Sequence, residues 1–120
     1  MHSRIAVINA TRSTVLATHV TLALSEAARA RGLLGRSSLE RGEGLILRPC
    51  KGVHSFGMKF AIDVAYVTHT GVVVRVVAPL LPNKAGPLVW RAGWVLELPE
   101  GVLGETGTVP GDKLLPFYYQ

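Results

Sequence analysis

Two apolar, β-branched runs lie close together in this chain, Phe60 to Val67 and Val72 to Val77. Thr68-His69-Thr70-Gly71 joins them, with glycine where a tight connection needs a positive φ. Side chains branched at Cβ pack well on a pleated surface, and so short a link returns the chain antiparallel. The pair predicts a β-hairpin, Ile62–Val67 against Val72–Val77. A hairpin this apolar needs further elements to cover it.

The rest of the chain supplies them. Arg4 to Ala10 reads as a strand, and Thr14 to Leu24, rich in Val, Thr and Leu, as a second. Leu45–Leu47, Trp94–Leu98 and Leu114–Tyr119 add three more. Turn chemistry lies between them at Asn9–Ser13, Gly42-Glu43-Gly44, Pro99-Glu100-Gly101 and Pro110-Gly111-Asp112, with a loop from Pro79 to Pro87. One helix is predicted: Ser25 is its N-cap, Glu26 suits its first turn, and Ala27, Ala28, Ala30, Leu33 and Leu34 favour it. Gly35 is the expected C-cap, although Gly32 favours an earlier end. Thirteen glycines and seven prolines in 120 residues oppose a helical bundle. The expected fold is mainly β, a small β-sandwich or barrel-like domain with one short helix. Residues 1–120 are expected to form a single domain, since this length leaves no room for a second core.

Composition narrows the function classes. Hydrophobic residues make up 48% and charged residues 18%, which excludes a disordered chain. No apolar run approaches the roughly 18 residues of a membrane span, and Arg75 interrupts the most apolar stretch. Ile5-Ala6-Val7-Ile8 is too short for a signal-peptide core, so a cytoplasmic location is expected. Cys50 is the single cysteine and has no internal disulfide partner.

Charge is unevenly placed. Residues 1–91 hold 12 basic side chains against 4 acidic ones, whereas residues 92–120 set Lys113 against Glu97, Glu100, Glu105 and Asp112. The densest basic run is Arg29, Arg31, Arg36, Arg41, Arg48 and Lys51. It reads either as an anion site or as a solvated face. No aromatics alternate with these residues, which disfavours nucleic acid as a partner. Trp90, Trp94, Tyr118 and Tyr119 are read as core or rim residues before they are read as a binding patch. The glycine-rich phosphate loops, the nucleophile elbow and the paired-histidine zinc motif are all missing.

Reactive side chains concentrate between Cys50 and Asp63, and three readings stay open. Cys50, His54 and Met58 are each four apart and offer thiolate, imidazole and thioether to a soft metal, for which His19 or His69 would have to add a second imidazole. Alternatively His54, oriented by Asp63, activates Cys50 as a nucleophile. The third reading is structural, with Cys50 a small buried hydrophobe, His54 a turn cap and Asp63 an acceptor for backbone N–H groups of a neighbouring loop. Alternation places Asp63 on one strand face with Ala61, Ala65 and Val67, opposite Phe60, Ile62, Val64 and Tyr66. A carboxylate among small apolar side chains needs a donor, with His54 and Lys59 the nearest ionisable ones along the chain. A His54–Asp63 pair is therefore expected.

The ordered set Arg31-Gly32-Leu33-Leu34-Gly35-Arg36, Gly42-Glu43-Gly44-Leu45-Ile46-Leu47 and Cys50-x3-His54-x3-Met58-Lys59-x3-Asp63 resembles domain-of-unknown-function family 192. Gly71-Val72-Val73, Val95-Leu96-Glu97-Leu98-Pro99-Glu100-Gly101 and Gly111-Asp112-Lys113-Leu114 continue the resemblance, which covers roughly residues 20–117. It implies a small bacterial or archaeal protein with a mostly β, sandwich-like fold. It implies no established catalytic activity and no cofactor. The expected function is a binding or accessory module with a shallow site near His54, Met58 and Asp63, flanked by Cys50 and Lys59. Its expected partner is a small molecule or a protein segment, with no metal assigned. The alternative is a thiol- or metal-dependent activity centred on Cys50 and His54.

Overall fold

The computed structural model describes residues 4–120. Among these residues, eight strands form two packed sheets. In chain order they are β1 (Arg4–Asn9), β2 (Thr14–Ala17), β3 (His19–Ala23), β4 (Glu43–Leu47), β5 (Ile62–Val67), β6 (Val73–Leu80), β7 (Trp94–Pro99) and β8 (Leu114–Tyr119). Helix α1 spans Glu26–Arg31 and helix α2 spans Val102–Glu105. The smaller sheet has the order β2-β1-β8 and the larger β3-β4-β7-β5-β6. The fold is mainly β and sandwich-like, with no closed barrel. It has two short helices where one was expected.

The hairpin forms as expected. β5 pairs antiparallel with β6, and Gly71 takes φ 99° in the connection. β6 runs on through Pro79 to Leu80, so the loop begins later than its prolines suggest. Ser25 caps α1: its Oγ accepts the Ala28 N–H at 3.1 Å. The helix stops at Arg31, with Gly32 as its C-cap in place of the expected Gly35.

The stretch read as one strand, Thr14 to Leu24, is two. β2 belongs to the small sheet and β3 to the large one, and the chain changes sheets at Thr18. The Gly42 carbonyl accepts the N–H groups of both Thr18 and His19 at 2.8 Å, which fixes the corner. A strand that turns a sandwich corner keeps strand propensity throughout, so composition does not reveal the break. β3 then pairs in parallel with β4, across a connection that contains α1.

Every residue of β5 and β7 is buried, because the larger sheet is covered on both faces. On one face Ala65, Val67, Leu96 and Leu98 pack towards Val7, Leu16 and Leu114 of the smaller sheet. On the other, Ile62, Val64, Tyr66 and Val95 pack beneath Leu33, Leu39 and Met58. That second cover is one short helix and two long loops, and the candidate site lies within it.

Candidate functional site

The segment from Cys50 to Met58 is extended and irregular. Its backbone runs beside residues 83–93: Val89 N–H donates to the Lys51 carbonyl at 2.7 Å, Gly86 N–H to Val53 at 2.8 Å, and Ser55 N–H to Lys84 at 2.8 Å. Ser55 is wholly buried, and its Oγ accepts the Lys84 N–H at 3.0 Å while donating to the Leu81 carbonyl. Asn83 accepts the Gly57 N–H on its Oδ1 at 2.9 Å. These two polar side chains tie the loop to residues 81–84.

Beneath the loop lies a cavity of about 360 Å³. Cys50, His54 and Met58 all line it, so an irregular backbone brings together three residues spaced four apart. Met58 is buried, Cys50 half-buried and His54 exposed. The His54 ring stacks on Phe56 with centroids 5.2 Å apart, and its Nδ1 accepts the Phe56 N–H at 3.2 Å. The Cys50 thiol donates to the Gly52 carbonyl at 3.1 Å. Burial pushes its pKa up, which keeps it protonated and a poor nucleophile at neutral pH.

Asp63 and Lys59 do not join this group. The expected His54–Asp63 pair does not form. Asp63, 1% exposed, lies on the opposite face of β5, and its Oδ2 accepts the N–H groups of Gly101 at 3.1 Å and Leu103 at 2.9 Å. The carboxylate thereby caps α2, whose own N-cap, Gly101, has no side chain to offer. Lys59 is exposed and lies outside the cavity lining. Among the described residues, no three or more His, Cys, Asp and Glu side chains gather as a metal site.

The residue that sequence reasoning missed is Glu97. It sits on β7, the central strand, paired with Leu45 on β4 and Val64 on β5. It is 3% exposed, yet it lines the cavity with Cys50, His54 and Met58. Burial alone raises its pKa to about 7, with no hydrogen bond or neighbouring charge offsetting it. The signal was available: alternation along Trp94–Leu98 puts Glu97 on the same face as Val95, as it put Asp63 among small apolar residues.

The basic run divides by role. Arg36 pairs with Glu43 and Arg41 with Glu105. Arg29, Arg31 and Lys51 line the cavity. Arg29 Nη1 donates to the Leu24 carbonyl at 2.6 Å, and Lys51 Nζ to the carbonyls of Trp90 and Ala92 at 2.6 and 2.7 Å. The four aromatics also separate: Trp94 is in the core, whereas Trp90 and Tyr118 are exposed.

The chain belongs to the family DUF192, described as "Uncharacterized ACR", which matches residues 7–115. Two solved structures share the fold. One is a protein of unknown function from Novosphingobium aromaticivorans, 25% identical, with a TM-score of 0.79 over 92% of this chain and 82% of that one. The other is described as a candidate transcription regulator from Sinorhizobium meliloti, 21% identical, with a TM-score of 0.79 over 95% and 92%. No curated protein matches the chain. No helix among the described residues is long and apolar enough to cross a membrane.

Proposed function

We propose that the protein is a binding module whose site is the cavity beneath residues 50–58. The supporting observation is the convergence of Cys50, His54 and Met58 over a buried carboxyl group, Glu97. A core position on a central strand ordinarily holds an apolar side chain, and a carboxyl kept there without a partner costs stability. A cost of that kind is common where a site receives a ligand. The volume is near the lower end of the range for ligand pockets, roughly 300–1,000 Å³. It suits a small molecule or one side chain of a protein segment. In this reading residues 1–120 act as one domain in a reducing compartment, with Cys50 a packing residue.

The thiol- or metal-dependent alternative makes Cys50 indispensable. A fragment screen followed by amide chemical shifts, run on the native chain and on Cys50→Ser, separates the two. The binding reading expects shifts at residues 29–34 and 50–58, retained in Cys50→Ser. Loss of all binding in a folded Cys50→Ser chain would favour the thiol reading. Fragments that shift no residue around the cavity would end the binding reading.

A further inference from the structure

The charges around the cavity describe what enters it. Its floor carries one carboxyl group, Glu97, with no hydrogen-bond or ion-pair partner among the described residues. Its mouth carries Arg29, Arg31 and Lys51, none of which pairs with a carboxylate among the described residues. Arg29 and Lys51 are anchored on backbone carbonyls, which fixes their positions without cancelling their charge. Arg31 is exposed at the end of α1.

Each simple ligand class meets one unfavourable end. A plain amine would satisfy the floor but has to pass three cations. A plain carboxylate would be drawn to the mouth but finds no counter-charge at the floor, where Glu97 repels it once ionised. A molecule with both groups satisfies both ends. Resting on the binding reading above, we propose that the cavity takes a small zwitterion, its ammonium group on Glu97 and its anionic group among Arg29, Arg31 and Lys51. An ammonium held within hydrogen-bonding distance supplies the counter-charge that the fold leaves out.

The sign of the pH dependence follows. The ammonium favours ionised Glu97, so binding expels the proton that burial keeps on this group. Raising the pH from 6 to 8 should tighten binding about tenfold, since a group with pKa near 7 goes from mostly protonated to mostly ionised over that interval. The other titratable or charged groups near Glu97 are Arg29 and Arg31 from α1, Cys50, Lys51 and His54 from the loop, and Tyr66 from β5, beyond which Arg75 of β6 acts on Tyr66. β4 presents apolar Leu45 and Leu47 there. His54 is the one to control for, with His54→Gln.

The test uses linear ω-amino acids of increasing chain length, beside the n-alkylamines and n-alkanoates of the same lengths, titrated by calorimetry and amide shifts. One length of ω-amino acid should bind at least tenfold tighter than its amine and alkanoate counterparts, and in His54→Gln, whatever its own affinity, the ratio of affinities at pH 8 and pH 6 should stay near tenfold. Glu97→Gln should remove the preference over the alkanoate, and Arg31→Ala, on the exposed rim, the preference over the amine. Alkanoates binding in the cavity as tightly as any ω-amino acid would overturn the proposal while leaving a binding site. An affinity in Glu97→Gln equal to the native one would do the same. If no probe of any class moves the signals of Cys50, His54, Met58 and Glu97, the proposal fails together with the binding reading.

Discussion

The Asp63 carboxylate accepts the Leu103 N–H at 2.9 Å, across 40 positions of chain. A helix of four residues makes almost no hydrogen bonds of its own, so α2 depends on an acceptor brought from the neighbouring strand. Asp63→Ala strands two N–H donors, Leu103's buried and Gly101's part-buried. We expect it to cost about 3 kcal/mol, since hydrogen bonds to a charged group contribute roughly 1.5–3 kcal/mol each and orphaned donors add to the loss. Asp63→Asn keeps one acceptor oxygen and should cost less. Urea unfolding measures both, and a cost below about 0.5 kcal/mol for Asp63→Ala would refute the capping role.

Glu97 ties the cavity to stability. Its folded-state pKa, about 7, lies above the ordinary value. Its contribution is therefore fully present below about pH 4.3 and declines as the pH rises through 7, because the unfolded chain ionises first. The shift corresponds to roughly 4 kcal/mol lost between those limits, at about 1.4 kcal/mol per pH unit. Glu97→Gln should remove this slope, leaving the variant more stable than the native chain at pH 8 and little changed at pH 4. Denaturant midpoints at the two pH values decide it. Equal slopes in both chains would count against an unpartnered Glu97.

Asp112 has the opposite sign. Arg12, Asn9 and the Val109 N–H all donate to its Oδ2, at 3.0, 2.9 and 3.1 Å, and hold its pKa below the ordinary value. The stability it contributes is present above its unfolded pKa, near 3.9, and is lost as the pH falls through the folded one. Arg12→Ala should shift the acid-unfolding midpoint upward. A midpoint unchanged by Arg12→Ala would mean that Asn9 and the Val109 N–H suffice.

Ser25→Ala removes the acceptor for the Ala28 N–H and should cost about 1 kcal/mol, the usual value of a serine cap. Unchanged urea stability would refute the assignment.

These cases also show which features were legible beforehand. The β5–β6 hairpin and the Ser25 cap rest on local chemistry: β-branched runs around Gly71, and a hydroxyl three positions before the N–H it receives. Local chemistry says nothing of the corner at Thr18, where the acceptor is Gly42. Nor does it reveal α2, whose cap is 38 to 40 positions upstream. The placement of Asp63 among small residues was readable from alternation, and the structural reading of it as an acceptor for backbone N–H groups is the one that holds, not the His54 pair; which two N–H groups it accepts was not readable, because they lie 38 and 40 positions downstream. Cys50, His54 and Met58 were readable as a group. Their meeting place depends on Ser55 and Asn83 holding the loop, and its floor on a glutamate in an otherwise apolar strand.

The most direct test of this account is the side-chain 13C titration of Glu97, recorded in the free chain and again with the tightest ω-amino acid bound. A midpoint near 7 is expected in the free chain, falling towards the ordinary glutamate range in the complex. A free midpoint in the ordinary glutamate range, near 4.3, would mean that the carboxyl is already solvated or paired, and the case for the cavity as a site would fall with it.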